Sequence, residues 1–305
     1  MPGGELTKHR GARLQFGRML WLIGIHPPYE VDVKSAGMPA ARRIKVPGNW
    51  RFTPDNLFER TGAPIDYTLL SDRIGLIHFY EMTEKPEDFV GQLAAIYTEI
   101  LSDHPRGLII DIRDNPGGNS MLGQMLLALV TDKAYRPFSE RQWKVSQTCK
   151  DYFHSLDREE LSEQFAIYLK EPPGKLLIEP VQVESLKLPK LAFKGPVAAL
   201  IGPDTYSSAE ILADAMRTYD LAELFGQPTS EPANQYGEVC QTVLPNSGIT
   251  LAAPSAYFIR ADGNADTGDP VVPHHVVPPG PLQPGIDPVL DAARRWISTQ
   301  PSASF

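Results

Sequence analysis

Apolar positions along this chain switch between a period near two and a period near 3.6, and the order of the switches outlines a fold. Residues 73–82, RIGLIHFYEM, read as a strand. Residues 86–103, PEDFVGQLAAIYTEILSD, open on a proline and two acidic residues, as helix N-termini do. Within them Phe89, Val90, Leu93, Ile96, Tyr97, Ile100 and Leu101 return at helical spacing. GLIIDIR, 107–113, is a continuous apolar run with β-branched residues, typical of a strand buried on both faces. MLGQMLLALVTD, 121–132, is a second helix. GPVAALIG, 195–202, is another buried strand. SSAEILADAMRTY, 207–219, is a helix with Ile211, Leu212, Ala215, Met216 and Tyr219 on its apolar face, and AELFG, 222–226, is the next strand. This alternation predicts an α/β fold with right-handed βαβ crossovers and a mainly parallel sheet.

The flanks are patterned differently. GARLQFGRMLWLI, 11–23, has a broad helical apolar face that includes Leu14, Leu20, Trp21 and Ile23. YEVDV and RRIKV then alternate as two strands around the turn-prone SAGMPAA. One helix and two strands are too little for a domain and read as the back half of one. The boundary falls near residue 66, with 67–305 as the main unit. Residues 133–194 read as an insertion on the edge of the sheet, a lid or an oligomer contact, with a helical patch at 156–169. LPNSGITLAAPSAYFIRADG, 244–263, reads as a hairpin-like pair, and PVLDAARRWI, 288–297, as a closing helix.

Composition narrows the function. The 305 residues are 42% apolar, ample for a core, and the formal net charge of −8 comes without a long basic run. That speaks against nucleic acid, whose phosphates call for clustered Lys and Arg. Two cysteines, Cys149 and Cys240, are too few for a disulfide framework; one bridge is open to them. The adjacent His274 and His275 point opposite ways on an extended chain, so no metal or other cofactor is expected. No stretch reaches the ~18–20 apolar residues of a membrane helix. MLWLIGI, 19–25, lacks a small-residue cleavage site and reads as a helix end rather than an export signal.

Chemistry is suggested by two loops that follow parallel strands, DNPGG at 114–118 and DTYSS at 204–208, because ligands of open α/β sheets bind at that edge. Gly117 and Gly118 let the backbone approach a substrate. The N–H of Ser208 lies at a helix N-terminus, where donors point outward. Ser207 precedes it. Two readings stand at this point. Ser207 is either an N-cap beside a plain turn, or a nucleophile with its oxyanion donors already in place.

GLIIDIRDNPGG, VAALIGPDTYSSAEILADAM, GQPT, LPNSGITLAAPSAYF and DPVVPHHVV, in that order and spacing, resemble the core of the C-terminal-processing (tail-specific) serine peptidases and the tricorn core. The resemblance covers roughly residues 70–300. It implies a crotonase-like (ClpP-like) βαβ spiral core, and it makes residues 1–66 the latter half of a PDZ-like module with its linker. It implies that Ser207 is the nucleophile, three residues before Glu210, with oxyanion donors from Ser208 and from Gly117 or Gly118. It also implies polypeptide substrates, unstructured tails among them, and a periplasmic or other extracytoplasmic setting.

The chain departs from that pattern at the general base. Tail-specific members carry a Lys after a Gly-x-x-Thr-x-Gly stretch; here the stretch is GQPTSEPANQYGE, and no Lys follows Lys194. Tricorn-like members use a His upstream of the module and a late carboxylate. The carboxylate corresponds to Asp266 or Asp269, whereas His9 and His26 match no such motif. His78 is the substitute base if it faces the same edge as Ser207; otherwise it is a histidine packed in a strand. The expected function is therefore a serine endopeptidase, weak without its base. A peptide- or ligand-binding relative that cleaves poorly is the alternative, and an acyl-CoA enzyme is an analogy of fold alone. An apolar face left open at Leu20, Trp21 and Ile23 would favour a homo-oligomer.

Overall fold

The computed structural model describes residues 24–25, 28–33, 40–46, 62–156, 165–184, 192–278 and 286–303. The described residues divide into two compact units, a smaller one before Pro64 and a main unit from Pro64 onward. In the smaller unit, β1 (Tyr29–Val33) and β2 (Arg42–Val46) pair antiparallel, with Val31 opposite Ile44. Arg43 binds the exposed Asp32 carboxylate through two hydrogen bonds of 2.8 and 2.7 Å. The helix expected over 11–23, its Leu20–Trp21–Ile23 face, His9 and His26 lie outside the described residues.

The main unit is built on a six-stranded sheet. Its members are β3 (Ile65–Leu69), β4 (Ile74–Phe79), β5 (Gly107–Asp111), β8 (Val197–Ile201), β9 (Glu223–Gly226) and β12 (His275–Val276), in the order β12-β9-β8-β5-β4-β3. All neighbours are parallel except β3, which runs antiparallel beside β4. Helix α1 (Pro86–Asp103) joins β4 to β5, α2 (Ser120–Val130) follows β5, and α5 (Ser208–Thr218) joins β8 to β9. The apolar runs at β5 and β8 are buried because helices cover both faces. Ile77, Phe79, Ile110, Ala199 and Ile201 pack with α1, α2 and α5. Ile74, Leu76, Ile109, Ala198 and Leu200 pack with α6 (Pro288–Thr299) through Val289, Ala293 and Ile297.

Residues 133–194, expected as an edge insertion, form half of a second sheet. β6 (Glu140–Lys144) and β7 (Leu176–Pro180) join β10 (Gln235–Val243) and β11 (Thr250–Ile259) in an all-antiparallel order β10-β11-β6-β7. The hairpin thus begins nine residues before the stretch that the sequence marked, because β10 starts in the polar QYGEV. One face of this sheet holds a separate core. There Trp143 and Phe258 meet Phe153 of α3 (Gln147–Ser155) and Tyr168 of α4 (Ala166–Lys170). Ile211 of α5 enters the same core, so α5 is shared by both sheets.

Cys149 of α3 and Cys240 of β10 are joined in a disulfide that closes a 91-residue separation across this second core. Constraining so long a loop in the unfolded chain is a sizeable entropic effect. Replacing both cysteines with serine is expected to lower stability by about 2–4 kcal/mol. Urea titration of the double variant beside the wild type checks this.

Candidate active site

The loops after β5 and β8 meet at the C-terminal edge of the parallel sheet and are bonded to each other. Ile112 N donates to Leu200 O at 3.1 Å, Tyr206 N to Asn115 O at 3.0 Å, and Thr205 Oγ1 to Ile112 O at 2.8 Å. The residue that organises them is Asn115, wholly buried. Its Nδ2 donates to Phe79 O, at the end of β4, at 2.8 Å, and its Oδ1 accepts from Gly117 N at 2.8 Å. In the sequence Asn115 stands out only as one residue of the turn DNPGG. The signal available was an amide just ahead of Pro-Gly-Gly, able to bond its own backbone two residues on.

That bond turns the chain through Gly117, at φ 91°, and Gly118, at φ 133°. A Cβ on Gly117 would lie 2.7 Å from Ser208 N and Tyr206 O and 2.9 Å from Ser207 Cβ. One on Gly118 would lie 2.1 Å from Met82 O. Both positions therefore need glycine for conformation and for space. Ser208 Oγ closes the contact by donating to Gly118 O at 2.5 Å.

Ser207 occupies the N-cap position of α5, yet its side chain makes no capping hydrogen bond. Its backbone lies at φ 52°, ψ −121°, a conformation strained for a residue with a Cβ. The helix starts correctly all the same, with Glu210 N and Ile211 N donating to Ser207 O at 2.9 and 3.0 Å. Gln235 Nε2 donates to the same oxygen at 3.2 Å, a contact from β10 that the sequence did not disclose.

The first turn of α5 is anchored beneath by the GQPT stretch. Thr229 Oγ1 donates to Glu210 Oε1 and accepts from Val271 N at 3.0 Å. Glu210 is wholly buried, and desolvation holds its carboxyl well above its ordinary value of 4.5, with the hydrogen bond from Thr229 acting the other way. One turn on, Asp214 accepts from Arg260 Nη2 at 2.9 Å and from Ala261 N at 2.7 Å.

Among the described residues no hydrogen bond or ion pair joins the other expected residues to Ser207. Strand alternation puts Ile77 and Phe79 of β4 on the α5 side of the sheet, so His78 between them faces the α6 side. There His78 Nδ1 lies 3.2 Å from Asp66 Oδ1 and Nε2 lies 3.9 Å from Asp111 Oδ2. Asp111 is in turn bound by Arg113, which also holds Asp287, the N-cap of α6. Asp266 is exposed in the turn before β12. Asp269 accepts from Thr267 Oγ1 at 2.6 Å in that turn. Asn234 draws the turn toward β10 by donating to Asn264 O and Thr267 O, both at 2.9 Å. His274 Nδ1 accepts from Leu224 N at 2.9 Å while His275 Nε2 meets Glu223 at 2.8 Å, so the pair diverges. Among the described residues no group of three or more His, Cys, Asp or Glu is arranged around a metal position, and no helix is long and apolar enough to cross a membrane. A cavity of about 640 Å³ lies at the opposite edge of the sheet, between Lys133, Pro196 and Trp296, remote from these loops.

The site is thus a strained serine at a strand–helix elbow of a parallel α/β sheet, packed on a glycine turn. Residues 73–277 match Peptidase family S41, and the chain belongs to that family. No curated protein matches the sequence. Solved structures are similar as well, three of them as follows. One is a protein from Parabacteroides merdae ATCC 43184, with 18% identity, 78% of this chain and 65% of that one covered, and a TM-score of 0.50. Mature CPAF has 17% identity, with 77% and 52% covered and a TM-score of 0.50. The photosystem II D1 C-terminal processing protease has 15% identity, with 90% and 61% covered and a TM-score of 0.49. At these identities the likeness to the first two is one of fold, and this chain spans less than two thirds of the length of each of the three.

Two outcomes follow from the site's buried polar groups. Asn115→Ala strips partners from Phe79 O and Gly117 N, and a loss of about 2–4 kcal/mol is expected in denaturant unfolding. Glu210 has its folded pKa raised above the unfolded value. Its favourable contribution is full below pH 4.5 and is lost as pH rises through the folded value. Glu210→Gln should therefore gain stability over the wild type as pH rises above 4.5, at up to about 1.4 kcal/mol per pH unit. Thermal melts of both proteins across pH 4–8 test the sign.

Proposed function

We propose that the chain is a serine-type endopeptidase acting on polypeptides, with Ser207 as nucleophile. The observation that carries this is the backbone of Ser207. A residue with a Cβ at φ 52°, ψ −121° is costly, and strain of this kind persists where it aims a side chain. Ser207 Oγ would attack a peptide carbonyl, and the developing negative oxygen would meet the N–H of Ser208 at the start of α5 and the N–H of Gly118. Gly117 N is assigned elsewhere, since it donates to Asn115. Donors held by a folded turn need no rearrangement as charge develops, which is the main contribution of an oxyanion site.

The proton of Ser207 needs a base, because a serine hydroxyl is a poor nucleophile while it keeps its proton. One observation supports a second reading, a peptide-binding relative that cleaves poorly: among the described residues the Ser207 hydroxyl makes no hydrogen bond, and no lysine follows Lys194. His78 faces the α6 side of the sheet, where Nδ1 meets Asp66 at 3.2 Å, and that position fits a structural role for it better than that of base.

A fluorophosphonate probe separates the two readings. Labelling of the wild type, lost in Ser207→Ala and kept in Thr218→Ala, is expected for the peptidase; an unlabelled wild type refutes it. Ser207→Gly should also lose labelling while gaining about 1 kcal/mol of stability, since glycine relieves the positive φ.

A further inference from the structure

We propose that the slot between α2 and α5 receives the substrate side chain on the acyl side of the scissile bond, and that Tyr135 makes this slot select serine over alanine and over larger residues. The proposal rests on Ser207 being the nucleophile. The slot is walled by Ser120, Gly123 and Leu127 on one side, by Ser208 and Leu212 on the other, and by Tyr135. Ser208 directly follows Ser207, and Ser120 lies two residues beyond Gly118. A carbonyl oxygen cradled by the N–H groups of Ser208 and Gly118 therefore brings its own residue's side chain to the mouth of this slot.

The slot measures about 10 Å³, room for one water-sized group. A leucine or phenylalanine side chain does not fit without parting α2 from α5, since even a Cβ added at Gly123 would lie 3.4 Å from Leu212 Cδ2 and Met82 Cε. With its Cβ at the mouth, serine places its hydroxyl in this space, whereas alanine leaves it empty. Tyr135 adds a polar preference. It is 4% exposed, and its hydroxyl makes no hydrogen bond among the described residues. A buried polar group without a partner is rare in a folded protein and calls for one. Burial keeps the phenol neutral, so it offers an O–H donor. A serine side chain of the substrate supplies a hydroxyl oxygen to accept it; alanine leaves the phenol unpartnered.

The test reads binding rather than turnover. Pentapeptides identical except for a C-terminal Ser, Ala or Leu are titrated against the full chain carrying Ser207→Ala. Their terminal carboxylate takes the place of the oxyanion at the helix N-terminus. The Ser peptide is expected to bind about 5–10-fold tighter than the Ala peptide, the size of one good hydrogen bond to a buried group, with the Leu peptide weakest. Adding Tyr135→Phe should bring Ser and Ala within twofold and leave the melting temperature equal or higher, because the lost hydroxyl had no partner. A Ser preference that survives Tyr135→Phe, tightest binding by the Leu peptide, no binding by any peptide, or a lower melting temperature in Tyr135→Phe overturns the proposal. Failure of the peptidase reading shows separately, as wild-type Ser207 left unlabelled while the peptide preferences hold.

Discussion

The buried side chain of Asn115 is the constraint on which the candidate site depends. Its amide links the end of β4 to the glycine turn after β5, while its backbone oxygen receives the loop after β8. Three chain segments far apart in sequence are thereby fixed at one point on the sheet edge. An amide serves here because it donates and accepts at once. In a water-free setting both of its bonds must be kept, since an unpaired carbonyl or N–H there costs as much as the bonds gain.

With the glycine turn fixed, Ser207 can be held in a conformation that its own chemistry disfavours. Gly117 comes so close to Tyr206 O and Ser208 N that the elbow has no room to relax. From below, Thr229 holds Glu210 and Arg260 holds Asp214, which seats α5 on both sheets. The strain at Ser207 is local, and the packing that opposes it is spread over the helix. That division leaves the hydroxyl unspent on capping, and a cap is what this residue type would ordinarily supply at a helix start.

The second sheet shows where patterning misleads. Residues 133–194 carry short strands between polar and proline-rich connections, so no long period marks them. Their partners in β10 and β11 lie more than 50 residues away, beyond the reach of any local pattern. Trp143 stacks its ring under the Arg141 guanidinium, 4.5 Å from its centroid, and covers a core that the linear chain does not announce. His78 is the converse case. Its position in an apolar run permitted a base, but a strand points successive side chains to opposite faces, and the neighbours Ile77 and Phe79 had already taken the α5 side.

By itself the sequence determined the parallel sheet, because continuous apolar runs such as 107–111 and 197–201 are stable only between two layers of helix. It determined the helices that flank the sheet, through their 3.6-residue apolar period. It also singled out Ser207, Ser208, Gly117 and Gly118, since serines at a helix start and paired glycines after a strand carry a local geometric meaning. Only the tertiary structure decided what stands around them. That Asn115 ties the turn to Phe79 O, that Gln235 reaches Ser207 O, and that Tyr135 leaves a bare hydroxyl between α2 and α5 depend on contacts between distant segments. Hydrophobic periodicity specifies which face of an element is buried; it does not specify which polar atom of another element arrives there.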